Sequence, residues 1–284
     1  MIGAIAEMFS YAFMARALAA GALVALCASL LGAGLVLKHR SMIGDGLSHV
    51  GFGALAISAA LNAAPLAVCA PVVVAASFLL LRLGEKSRIK GDAAIAMISA
   101  ASLAVGVMTM SLSGGMNADL NSYLFGSILA MSASDAAFAA ALACAALALF
   151  TLFYNKIFAV VFDEDFARAA GVRAGRFNTL NAILTAATIV IGMRMMGALL
   201  ISSLLVFPPL TAMRLCKNFR AVTLCSALVS LASFFAGMAF SYVKSTPAGA
   251  SIVLANAAFF LIFSAVAFLR ARIRAASARR QTRD

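Results

Sequence analysis

The chain predicts an all-α, polytopic membrane fold with eight or nine transmembrane helices, on three observations. Its 284 residues are 64% hydrophobic and 11% charged, with a mean hydropathy of +1.04. Soluble domains carry about 25% charged residues, so too little polar surface is present to coat a globule. Several apolar runs reach the roughly 20 residues that cross a bilayer core. In lipid such runs must pair their backbone groups internally, as helices; a membrane barrel would instead show ~10-residue alternating segments. Finally, nineteen of the 22 Lys and Arg fall in windows 38–40, 82–90, 156–176, 214–220 and 270–283, leaving only Arg16, Arg194 and Lys244 elsewhere. These windows alternate with apolar blocks. That asymmetry is the positive-inside pattern and it sets orientation. The net charge of +12 is accounted for in this way, and nucleic acid is not implied.

Residues 12–37 form the first span, running inward to Lys38 and Arg40. Residues 43–61 go out, 64–83 return to a basic loop from Arg82 to Lys90, and 92–113 go out again towards Gly114 and Gly115. Segment 116–131 lies outside or re-enters. Residues 132–155 come in, and 155–176 form a cytoplasmic excursion. Residues 177–192 go out, 195–215 return across a connector carrying Arg194, 220–243 go out and 248–269 come back. This gives nine spans with the N-terminus outside, or eight if the short pair 177–192 and 195–215 does not cross fully. The basic tail 270–284 meets anionic lipid head groups, its last ten residues also reading as solvated chain. No linker, repeat or soluble domain appears, so 1–284 reads as one membrane domain. Glu7 is the only charge before Arg16, so no removable leader is expected. Cys27, Cys69, Cys144, Cys216 and Cys225 stand singly in apolar or near-interface sequence, and read as small packing residues rather than metal ligands or disulfides.

The block Ser41-Met42-Ile43-Gly44-Asp45-Gly46-Leu47-Ser48-His49 sets a carboxylate and an imidazole on one helix face. With Ser41 as cap, Asp45 lies about 6 Å and His49 about 12 Å along the helix. An ionisable pair at such depth is costly and faces a cavity or partner. Two readings stay open. Asp45 can serve the positive N-terminal end of the helix in a capped or salt-bridged pair; alternatively, carboxylate oxygen and imidazole nitrogen suit a divalent first-row ion. Asp163-Glu164-Asp165-Phe166-Ala167-Arg168 followed by Gly171 reads as a short helix with acids at its start and a glycine end, either lying on the bilayer or docking a cytoplasmic partner. Pro208 and Pro209 predict a kink or break, since neither has an N–H; a gating role is the sharper alternative. Asn117-Ala118-Asp119-Leu120-Asn121 is a polar loop or an outer contact, and Arg194 pairs with a carboxylate or faces the path. No GxxxxGK[ST], GxSxG or HExxH motif appears, so no enzyme is indicated.

Five ordered blocks carry a family resemblance: KHRSMIGDGLSHV, NADLNSYLFGSILAMS, DEDFARAAGV, MRMMGALLISSLLVFPPLTAMR and TPAGASIVL. Through them nearly the whole chain resembles the permease subunits of the ABC-3 class of metal importers, most of all the ZnuB-type zinc permeases. The resemblance implies an inner-membrane permease, homodimeric or paired. A cytoplasmic ATPase sits beneath it, and an extracytoplasmic metal-binding protein delivers zinc, or next manganese, as transported ion. No cofactor is tightly bound. Asp45 and His49 match the metal-path positions of the GDxxxH block. Asp163, Glu164, Phe166, Ala167 and Gly171 match the ATPase-docking element. Pro208 matches a family proline, whereas Pro209 stands where small residues are usual. The alternative is a proton-coupled secondary transporter with Asp45 and His49 as relay.

Overall fold

The structure, a computed structural model, describes residues 10–86, 91–113, 126 and 132–281. Every regular element among them is helical: α1 (Ala12–Leu37), α2 (Met42–Ala60), α3 (Pro65–Lys86), α4 (Gly91–Leu112), α5 (Ala133–Leu152), α6 (Tyr154–Phe162), α7 (Glu164–Ala169), α8 (Ala174–Met196), α9 (Ala198–Met213), α10 (Phe219–Lys244) and α11 (Ala248–Gln281). Six of these are long and apolar enough to cross a bilayer on length and composition. Segment Pro65–Leu81 and α9 are apolar but shorter. α2 is 19 residues long, its hydropathy diluted by Gly, Ser, Asp45 and His49. Segment 155–176, expected as a cytoplasmic excursion, contains most of α6 and all of α7.

Three expectations are corrected. Arg194 does not sit in a connector: α8 runs through it to Met196. The chain reverses at Gly197 (φ +87°), a backbone conformation that L side chains rarely adopt. Counting apolar residues had treated the charge as a stop. Pro208 and Pro209 do not break α9, which continues to Met213 with both rings buried. Residues 275–281, which also read as solvated chain, are helical, since α11 continues to Gln281.

α1 is the central element, buried along most of its length and packed against α5, α8, α9 and α10. α2 is enclosed by α3, α4, α8 and α9. Its glycines set the distances, with Gly46 and Gly53 against α4, Gly44 against Leu205 of α9 and Gly51 against Met193 of α8. α11 covers α9 and α10 and presents Leu254, Leu261 and Phe268 outward. Lipid tails are as apolar as the side chains, so helices associate through small-residue contact and internal hydrogen bonds rather than through expulsion of water. Both devices are present. Ser230 Oγ donates to the Ala25 carbonyl at 2.9 Å, tying α10 to α1. Asn256, fully buried, accepts from Ser233 Oγ at 2.7 Å and donates to Ser203 Oγ at 3.2 Å. One amide thereby joins α9, α10 and α11.

Gly32 of α1 lies directly on the carbonyl of Leu205. Pro209 has no N–H to return to that carbonyl, which is therefore left to face α1. A Cβ at position 32 would occupy the oxygen's place. Gly32→Ala is expected to cost about 1–3 kcal/mol, the usual range for overpacking a tight contact, read as a lower midpoint in a circular-dichroism melt of detergent-solubilised protein. Gly171→Ala meets no atom within 4 Å but must hold φ +82°. A loss of about 1 kcal/mol, from backbone strain alone, is expected in the same assay.

Candidate functional site

α1 ends in a tight reversal. Arg40 N–H donates to the Leu35 carbonyl at 2.8 Å and His39 N–H to the Val36 carbonyl at 3.0 Å, with His39 at φ +54°. This is a Schellman closure, here without a glycine, and it launches α2 four residues after α1 ends. Ser41 occupies the cap position but already has helical angles, and its hydroxyl makes no capping bond; the expected cap is corrected accordingly. Asp45 lies in the first turn of α2. His49 Nε2 stands 3.7 Å from Asp45 Oδ2, with His49 17% and Asp45 40% exposed. The ion-pair contact is longer than a hydrogen bond. His49 Nδ1 is buried without a hydrogen-bond partner, an expensive condition for an imidazole nitrogen. Ser48 Oγ is occupied with the Asp45 carbonyl at 2.7 Å. Among the described residues, no three His, Cys, Asp or Glu side chains gather into a closed metal cluster. The pair therefore brings two donors together, Asp45 Oδ2 and His49 Nε2, and Asp45 is the more exposed of the two.

The acidic segment forms the predicted short helix. Asp163 caps α7, accepting from Phe166 N–H at 2.9 Å. Gly171 ends it through a second Schellman closure, with Val172 N–H on the Ala167 carbonyl and Gly171 N–H on the Arg168 carbonyl. Ala167 is the anchor, buried with Val160 and Ala174. Phe162 and Phe166 point away from the protein, 79% and 69% exposed. Glu164 is held by two cations. Lys38 Nζ reaches Oε2 at 3.2 Å and Arg168 Nη2 reaches Oε1 at 2.6 Å, and Lys38 also donates to Asn178 Oδ1 at 2.8 Å. Partial burial pushes the Glu164 carboxyl up. Asn178, Lys38 and Arg168 together outweigh that and hold it below the usual glutamate range.

Arg194 pairs with Asp135 of α5 at 2.9 Å, as its position near the outer face suggests. Asp135 also closes a cap, its N–H and carboxylate both bonded to Ser132 Oγ. Segment 117–123 lies outside the described residues. The five cysteines are free thiols. Sequence reasoning missed Lys38 as the partner of Glu164 and Asn178, and Asp135 as the partner of Arg194. The spacing Ser132-x-x-Asp135 was a readable capping signal. Nothing in the chain order announced the Lys38–Glu164 contact.

A carboxylate whose folded pKa lies below its unfolded one stabilises the folded form above the unfolded value, about 4.3 for glutamate. That contribution is lost as pH falls through the depressed folded value. The α7 segment should therefore hold firmly near neutral pH and loosen below about pH 4. Hydrogen exchange over 163–172, corrected for intrinsic rates, is the check, and Glu164→Gln should remove the step.

The chain matches the ABC 3 transport family over residues 10–267. It is 32% identical over 271 residues to a Haemophilus influenzae protein named "Probable iron transport system membrane protein", covering 94% of this chain and 98% of that one. It is 27% identical over 246 residues to the same organism's "High-affinity zinc uptake system membrane protein ZnuB", covering 87% and 94%. Among solved structures it resembles a chain of "PsaBC from Streptococcus pneumoniae in complex with Fab", with TM-score 0.83, 27% identity and coverage of 93% and 95%. The chain therefore belongs to the ABC 3 transport family: it is a multi-pass, metal-transport permease subunit of the bacterial inner membrane, not an enzyme, and ATP hydrolysis falls to a separate subunit.

Proposed function

We propose that this permease moves a divalent ion into the cytoplasm, zinc first and manganese next, past Asp45 and His49. The observation that supports the reading is the unpartnered His49 Nδ1 beside a half-exposed Asp45 carboxylate. A structural ion pair would be expected to close its hydrogen bonds, whereas a passing cation wants ligands left available. Two ligands fall short of the roughly four of a closed zinc site, and an ion in transit must not be held too tightly. A homodimer with α2 near its twofold axis would bring two Asp45–His49 pairs together. Relatives named for iron and for zinc fit a site whose donors suit several first-row ions.

The ATPase subunit docks on α6–α7. Phe162 and Phe166 supply exposed apolar contact, Asp163 and Gly171 fix the two ends of the helix, and Ala167 and Glu164 anchor it from beneath. An extracytoplasmic metal-binding protein delivers the ion at the opposite face. Pro208 and Pro209 leave two carbonyls of α9 without helical partners, and that weakened turn, beside Gly32 and Gly44, is where α9 bends during gating. ABC family membership favours this ATP-driven route over a proton relay through the same residues.

Asp45→Ala and His49→Ala should each lower uptake of radioactive zinc at least about tenfold, the equivalent of ~1.4 kcal/mol of lost ion stabilisation. Size-exclusion profile and melting point should stay as in the parent. Normal uptake by the His49 variant would end the metal-path reading. Competition by manganese and iron ranks the ions. Uptake should also survive a protonophore for as long as ATP lasts; immediate collapse would restore the proton-coupled alternative.

A further inference from the structure

We infer that Lys38 is the positioning residue that couples the α7 helix to the mouth of α2, so that displacement of α7 moves Asp45 and His49. The inference rests on the docking role proposed for α7 and identifies how that element reaches the metal path. Lys38 belongs to the α1–α2 reversal. Its Nζ lies 3.2 Å from Glu164 Oε2 and 2.8 Å from Asn178 Oδ1, 126 and 140 residues away in the chain. One ammonium thus touches the first residue of α7, the first turns of α8 and the segment that launches α2. Its side chain is only 15% exposed, so the contacts are poorly screened by solvent.

The packing around this tie is uneven. α2 is in tight contact with α4 and α9, where Gly46 meets Ile95 and Gly44 meets Leu205. Between α2 and α8, beside Lys38, the interface instead leaves a small cavity of about 30 Å³, where Ile43, Leu47 and Leu81 face Lys38, Asn181 and Thr185. Asn181 Oδ1 and Thr185 Oγ1 are buried there without protein partners. The space is about that of one water molecule. Packing is therefore incomplete where α8 meets the start of α2, and the Lys38 bonds add a direct polar connection there. The other end of the lever is stiff: the Schellman closure at Val36 to Arg40 fixes the reversal, and Ile43 N–H donates to the Arg40 carbonyl at 3.1 Å. A pull on Lys38 therefore shifts the first turn of α2 as a unit, and Asp45 lies seven residues on.

The test uses the complete transporter, permease with its ATPase subunit and metal-binding protein, in proteoliposomes supplied with radioactive zinc or manganese. The readout is metal taken up per ATP hydrolysed, with ATPase retention measured by co-purification. Lys38→Met should keep the ATPase bound and hydrolysing within about twofold of the parent, while uptake per ATP falls about tenfold, within the range of known allosteric couplings. Lys38→Arg should restore at least half of the ratio. A merely structural role would lower uptake and hydrolysis together and leave their ratio unchanged. An unchanged ratio in Lys38→Met, with the ATPase bound, overturns the link while the docking reading stands. If the ATPase binds the parent equally well after Phe166→Ala and Phe162→Ala together, the docking reading falls and takes the link with it. Should Lys38→Met not fold, Lys38→Gln removes the same ammonium with a polar side chain in its place and decides by the same ratio.

Discussion

Lipid can solvate neither a backbone N–H nor an ionised side chain, and that constraint shapes every contact in this protein. Each polar group within the bilayer must find a partner inside the bundle, open onto water, or cost free energy. Most are satisfied in the simplest way. Ser29, Ser58, Ser77 and Thr188 return their hydroxyls to carbonyls three or four residues back. Ser230 and Asn256 use theirs to hold helices together. Interhelical bonds in membranes are worth about 0.6 kcal/mol each on average, so none dominates. They matter because packing without water to expel leaves orientation weakly determined, and directional bonds supply it.

Against that background the exceptions are informative. Among the described residues six buried polar side-chain atoms lack a partner; Tyr154, Thr211 and Ser264 hold three of them on α6, α9 and α11, and the other three, His49 Nδ1, Asn181 Oδ1 and Thr185 Oγ1, lie on α2 and on the part of α8 beside it. His49 lies on α2 one turn after Asp45. Asn181 and Thr185 belong to the face of α8 that meets the Ile43–Leu47 side of α2. α2 thus carries an unpartnered nitrogen and borders a small gap near its start, while its glycines fit closely against α4, α9 and, further along, α8. A helix built only for stability would fill that gap with a larger apolar side chain. The combination suits an element that must admit water or an ion and change position.

Much of this was legible in the chain. The charge clusters located the helices to within a few residues because Lys and Arg are costly in hydrocarbon and collect at its edge. The short α7 was readable from Asp163 to Gly171, since capping depends on neighbours three or four residues apart. Errors arose where one local rule met a tertiary fact. Arg194 looked like a helix stop, yet Asp135 from α5 neutralises it inside the last turn of α8. Pro208 and Pro209 looked like a break, yet flanking turns and close packing against α1 keep α9 helical. The Lys38–Glu164 contact joins positions 126 residues apart, and no periodicity or motif reaches across that interval.

The same balance bears on ion choice. A site that selected zinc through four rigid ligands would bind it tightly and release it slowly, since affinity and residence rise together. Asp45 and His49 supply one hard oxygen and one borderline nitrogen, a set to which zinc, manganese and iron all have access. Discrimination by such a pair is modest, so selection belongs upstream, where an ion can be held tightly without having to cross. On the path proposed above, the permease would contribute only a pair of ligands, too few to hold an ion tightly, so that it can leave. A permease arranged in this way would keep its fold while relatives diverge in the metal for which they are named, which is the pattern seen among the iron- and zinc-named proteins that share most of its length.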